Sequence, residues 1–275
     1  SFILLIICIP FLLFYWMLPF LSPLTFGTDY INYHVHHHLD LMFSIQSGSF
    51  PLFAPECYYG QSASAYTQAQ VYHPLSYIAS ALPGYWNGLS LEWITLLRLI
   101  TLAVCHLFVF HFLSRFNLPR LMALVLSTIT IYNLRMLVLF WHGPTLEGYT
   151  GFLFLCIATG NYLLSPTRYK GPLLIIFSTY WLLTSGYPPV VYYGLIGAAL
   201  FALIIPYFSA TALQHPAPRR KTIAKLWLKS SIFIFIGILL SAAYLFPFVF
   251  DFMAKNAGRS NQPYLWTVEL NDTLP

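Results

Sequence analysis

The chain alternates between long unbroken apolar runs and short polar clusters. Seven runs are candidates to cross a bilayer, at roughly 2–21, 89–113, 119–140, 147–164, 171–185, 188–208 and 229–250. A helix needs about 20 mostly apolar residues to span the hydrocarbon. The runs do not alternate with period two, so they predict helices rather than barrel strands. The fifth is short, and the neighbouring Ser185-Gly186-Tyr187-Pro188-Pro189 suggests a broken or re-entrant form. Residues 22–88 break the pattern. Within them Ile31, Val35, Leu39, Met42 and Ile45 recur at helical spacing and form one apolar stripe. The expected element is an interfacial helix lying on the membrane surface.

Composition sharpens this picture. Of the 275 residues 58% are hydrophobic and only 8% charged, where a soluble domain carries about 25% charged residues. The fold class predicted is an all-α polytopic membrane protein, a single transmembrane domain over residues 1–275. The net charge of +5 does not argue for nucleic acid, because the basic residues sit in small clusters between apolar runs. Those clusters set an orientation. Arg115 and Arg120, then Arg168 and Lys170, then Arg219, Arg220, Lys221, Lys225 and Lys229 fall in alternate loops, which are predicted to be cytoplasmic. Residues 22–88 contain no Lys or Arg and are predicted to be extracytoplasmic, as are the Trp141–Thr150 turn, the Gly186 turn and the tail. The N-terminus is then cytoplasmic and the protein a multi-pass protein of the cell (inner) membrane. The first run lacks the basic start and A-x-A site of a signal peptide and reads as a first span. The chain opens inside an apolar run and stops without a final span, so it reads as a piece of a longer protein. Cys8, Cys105 and Cys156 fall in predicted spans and Cys57 outside them, which suggests neither a disulfide framework nor a zinc pattern.

The candidate chemistry lies on the extracytoplasmic side. Asp29 follows the first span, and Asp29, Tyr33, His36 and Asp40 fall within roughly 60° on a helical wheel, opposite the apolar stripe. A carboxylate there can act as general base on an acceptor hydroxyl; it can equally cap the helix. His34 and His38 have the i, i+4 spacing of a metal pair, but no HExxH accompanies them. No cofactor is predicted, and a divalent metal stays open. Arg98 and Arg135 lie within predicted spans, where a charge is costly and marks function or a structural pair. Guanidinium suits a donor phosphate; the alternative is pairing with Glu92 or Glu147. Further along, Glu56, Tyr59, Gln61, Gln70, Tyr72 and His73 place aromatic faces beside amides, as a sugar requires, although an aromatic belt explains many of the rings. His142 stands at the far end of the third run.

In order, Gly27-x-Asp29, Gly48-x-x-Pro51-Leu52, Pro55, Gly60, Gln68 to Gln70 and Tyr72-x-Pro74 resemble the bacterial YfhO-type membrane proteins. Arg135 with Trp141-His142, and Gly186-Tyr187-Pro188-Pro189, are similar to later parts of that family. The resemblance implies a GT-C-like helical bundle and a glycosyltransferase that takes sugar from a polyprenyl-phosphate carrier. By position it implies that Asp29 is catalytic. The chain departs from the family at Phe53-Ala54, where a Trp-Asn pair is frequent, and in its run of histidines.

Residues and resemblance together predict transfer from a polyprenyl-phosphate sugar to an extracytoplasmic glycan, polymer or lipid hydroxyl. Asp29 acts as base, and Arg135 and Arg98 face the leaving phosphate. Tyr33, His36, Asp40, Glu56, Tyr59, Gln61, Gln70, Tyr72, His73 and His142 line the substrates. The bilayer is a partner; nucleic acid is not. The competing readings are a transporter or flippase for a lipid-linked or anionic solute, and a non-catalytic membrane scaffold. No internal repeat of the transporter kind is found.

Overall fold

A computed structural model describes residues 2–15, 47–48, 70, 72–85, 89–133, 143–166, 169–212, 220–246 and 249. Among these the secondary structure is helical, with no strand. The elements are α1 (Phe2–Leu13), α2 (Pro74–Ser80), α3 (Ser90–Ser114), α4 (Arg120–Ile131), α5 (Gly143–Leu164), α6 (Lys170–Leu183), α7 (Pro188–Ala212) and α8 (Arg220–Leu240). A helix occupies each of the seven places where the hydrophobic pattern predicts a span. Three of them contain stretches long and apolar enough to cross a membrane: Glu92–Ser114, Pro188–Tyr207 and Lys221–Leu240. Shorter apolar helices cover Phe2–Leu13, Arg120–Ile131 and Lys170–Leu183.

The central element is α5. It packs against α3, α6 and α7, and it is buried along nearly its whole length. Its glycines allow this. A Cβ on Gly151 would stand 2.8 Å from Leu182 Cα on α6, so only hydrogen lets the two backbones approach so closely. Gly237 of α8 plays the same part against α6, where a Cβ would meet Thr179 Cβ at 2.6 Å. Leu99, Leu102, Leu146, Ile157 and Trp181 fill the core around α5. On the other side α1 lies along α3, and Ile6 meets Phe110, Ala123 and Leu124. Large apolar side chains face outward on several helices, among them Leu121, Leu173, Leu200, Ile204, Leu228 and Phe235. An apolar exterior over an equally apolar interior suits helices in lipid.

Three boundaries differ from the sequence expectation. The Trp141–Thr150 segment, predicted as a turn, is helical from Gly143 onward. Pro144 is compatible with a first helical turn, where its missing N–H is not needed, and Glu147 enters the core because it finds a partner there. The basic loop predicted to run to residue 229 is already helix from Arg220. Lys221, Lys225 and Lys229 recur every four residues, so their stems can share one face and carry the charges away from the apolar side. The Gly186 segment is a turn between two separate helices. α6 ends at Leu183, Gly186 takes φ 91°, and α7 starts at Pro188. Left-handed backbone at a glycine followed by proline is an ordinary way to stop one helix and start the next.

Candidate functional site

The richest buried polar cluster lies where α5 begins, and it is built on the segment from Gln70 to Tyr85. Proline at 74 confines His73 to extended backbone, φ −78° and ψ 134°. His73 thereby becomes the N-cap of α2, its Nδ1 accepting from the Leu75 N–H at 3.4 Å. Gln70 stands three residues earlier in left-handed backbone, φ 53°, a conformation that costs a non-glycine residue about 1 kcal/mol or more and needs surrounding contacts to hold it. Those contacts are present. The Gln70 carbonyl accepts from His73 N at 2.9 Å and from Ser76 Oγ at 2.9 Å. Its side-chain amide donates to the Glu147 carboxylate and, at 2.7 Å, to the Ser185 carbonyl.

Glu147 is the centre of the cluster. Arg98 Nε donates to Glu147 Oε1 at 3.0 Å, and Gln70 donates to Oε2. The Glu147 carbonyl accepts from Trp181 Nε1 at 3.2 Å. Arg98 is 0% exposed and Glu147 2%. A Cβ on Gly143 would overlap the Arg98 guanidinium, so glycine here lets the arginine lie against the start of α5 in the position it takes. The His73 ring meets Trp181 edge-on at 4.6 Å, and its Nδ1 lies 3.7 Å from Glu147 Oε2. That approach is not an ion pair. Burial, and after it the neighbouring Arg98 charge, hold the His73 ring at a pKa of about 3. With Nδ1 accepting, the ring proton sits on Nε2. This Nε2 is buried and has no hydrogen-bond partner among the described residues.

Further contacts fasten the segment. Tyr180 Oη donates to the Tyr72 carbonyl at 2.7 Å, and Trp93 Nε1 donates to the Pro83 carbonyl at 2.8 Å. The Tyr72 ring lies 5.8 Å from that of Tyr244. Burial and the neighbouring Tyr180 raise the Tyr72 hydroxyl above its ordinary pKa. The segment therefore touches α3, α5, α6 and the α6–α7 turn together.

Of the residues predicted for the site, Gln70, Tyr72, His73 and Arg98 are described, and the structure gathers them at one end of the bundle. Arg98 faces Glu147, which is the structural alternative weighed for it. Asp29, Tyr33, His36, Asp40, Glu56, Tyr59, Gln61, Arg135 and His142 lie outside the described residues. So do His34 and His38; among the described residues no three His, Cys, Asp or Glu side chains converge as metal ligands. Cys8, Cys105 and Cys156 are unpaired. Sequence reasoning named Glu147 only as a possible partner for Arg98, and it did not single out Trp181, Ser185 or Tyr180. Arg98 inside an apolar run and a glutamate at the edge of another were the signals for the cluster.

The cluster can clamp the segment against the start of α5. Both Glu147 oxygens accept hydrogen bonds and the residue is buried, which suits it to holding the segment in place. Among the described residues the His73 Nε2–H is a buried donor with no hydrogen-bond partner. Comparison with protein families, curated proteins and solved structures finds no match to this chain.

Proposed function

We propose that this protein is a membrane glycosyltransferase of GT-C-like architecture. It moves a sugar from a polyprenyl-phosphate donor to a hydroxyl of an extracytoplasmic glycan, polymer or lipid. The observation that supports the reading best is the docking of this segment on the bundle, Gln70 on the Glu147–Arg98 pair, Tyr72 under Tyr180 of α6 and His73 against Trp181. These are residues of the amide- and aromatic-rich stretch suited to a sugar, and a rigid anchor for such a stretch is what a binding loop needs. In this reading Asp29 removes the proton from the acceptor hydroxyl. Arg135 faces the leaving phosphate as its charge develops. Arg98 is held by Glu147 and supports the loop instead. The phosphate leaves with the bonding electrons and the acceptor oxygen takes its place, so no covalent enzyme intermediate is needed.

The test uses the full-length protein in membranes with a panel of polyprenyl-phosphate sugars, following loss of the lipid-linked sugar. The expected result is consumption of one donor by the wild type and a loss of at least about a hundredfold in Asp29→Asn. Equal consumption by both would remove Asp29 from the mechanism. A second reading, a transporter or flippase, is favoured by one observation: ionisable groups buried together, as Arg98, Glu147 and His73 are, often mark transport paths. Failure of every donor to be consumed by folded protein, with movement of a lipid-linked solute in proteoliposomes, would select it.

A further inference from the structure

A crevice of about 430 Å³ runs between α5, α7 and α8, away from the Glu147 cluster. Leu155 and Thr159 of α5 contribute to its lining, together with Ala198 and Ala202 of α7 and Trp227 and Ser230 of α8. Two of these are out of place. Thr159 is 1% exposed and Ser230 4%, and neither hydroxyl has a hydrogen-bond partner among the described residues. A helical Ser or Thr commonly satisfies itself on the carbonyl four residues back. Thr101, Thr128, Thr179 and Ser241 all do so here, at 2.8 to 3.0 Å. Thr159 and Ser230 are instead buried donors in an otherwise apolar crevice, each of which needs an acceptor.

The mouth of the crevice shows where its occupant comes from. Leu203, on the lining, is 49% exposed, and Ser231, also on the lining, is exposed. Leu200 and Ile204 of α7 and Phe235 and Leu239 of α8 are exposed apolar side chains on the same two helices. The crevice thus opens toward the surface these helices offer to hydrocarbon. Its volume is that of a small-ligand site, roughly 300–1,000 Å³, and a helix about 10 Å across would not enter it. Ala198 and Ala202 keep the α7 wall low, so a slender chain can lie along it.

We infer that this crevice binds one acyl chain of a bilayer glycerophospholipid, with Thr159 and Ser230 donating hydrogen bonds to its ester carbonyl. An ester carbonyl is an acceptor with no proton of its own, and it is the polar group nearest the chain in such a lipid. It matches two buried donors in an apolar wall, whereas a plain hydrocarbon chain would leave both unsatisfied. The inference stands apart from the glycosyltransferase reading, since it concerns other residues.

The test places the full-length protein in nanodiscs containing a diacyl phosphatidylethanolamine with a diazirine in one chain. Irradiation and peptide mass spectrometry then locate the label. The expected result is saturable labelling concentrated on the crevice faces of α7 and α8. A diester phospholipid competes at least about fivefold better than its diether analogue, fivefold being the size expected for one of the two hydrogen bonds. Ala202→Phe, which fills the crevice, lowers the label to the level seen on the exposed face of α4. The paired variant Thr159→Val with Ser230→Ala keeps the volume nearly constant, and it makes ester and ether competitors equal. Labelling spread evenly over all lipid-facing helices, or unchanged in Ala202→Phe, would mean annular lipid only and would overturn the proposal. Equal competition by ester and ether lipids in the wild type would overturn it as well. Should Ala202→Phe not fold, the paired variant decides on its own.

Discussion

Arg98 and Glu147 are the residues on which the folded bundle depends most sharply. Removing one partner of a buried ion pair leaves the other charge uncompensated, at about 3–5 kcal/mol. Glu147→Ala should therefore destabilise the protein by that amount, measured as unfolding in detergent. Arg98→Met combined with Glu147→Leu should recover much of the loss, since no charge is then left buried. Additive losses in that double variant would show that the two residues act separately. His73 brings a pH dependence. Its folded pKa of about 3 lies below the ordinary value of 6.5, so between these values the unfolded chain holds a proton that the folded chain does not. Stability from this residue is complete above pH 6.5 and falls as pH drops toward 3. By pH 5 the loss is about 2 kcal/mol. His73→Asn keeps a capping side chain but cannot titrate; the pH 7 to pH 5 difference in unfolding midpoint should shrink in that variant.

Among the elements, α5 shows how local composition and packing combine. Its glycines are poor helix formers, yet two of them sit where another backbone or a guanidinium presses closest. Gly151→Val would set a branched side chain against Leu182, whose Cα is only 2.8 Å from where the Cβ would stand. Separating α5 from α6 should cost about 1–3 kcal/mol or more, read as a lower melting temperature. The same change at Gly194, where the nearest atom is a Leu182 methyl carbon at 3.2 Å, should cost less, because a side chain can turn aside and a backbone cannot. The start of α5 is also where the hydrophobic pattern misled. Gly143, Pro144 and Glu147 look like a turn when read singly. They are helix in the folded bundle, where Glu147 meets Arg98, a neighbour 49 residues away in the chain.

Across the molecule, the distribution of Lys and Arg makes a prediction of sidedness. With Cys57 replaced, a cysteine at Ser64 should react with an impermeant reagent from outside the cell. One at Ala217 should react only after the membrane is opened. The reverse pattern would invert the topology and move the proposed active face to the cytoplasm.

Helical class, the places of the helices and the apolar exterior were legible in the sequence alone. They follow from runs of apolar residues and from period, which are properties of neighbours along the chain. The value of Arg98 as a site residue was legible only in part. That it lies in an apolar run is local information; that Glu147 answers it is not. The joining of Gln70 and His73 to that pair, the tight passage of α5 past α6 at Gly151, and the crevice with its two unanswered hydroxyls were decided by tertiary structure. Each depends on which distant side chains meet in the folded bundle, and a hydrogen bond or a close backbone contact exists only once both partners have been brought within reach.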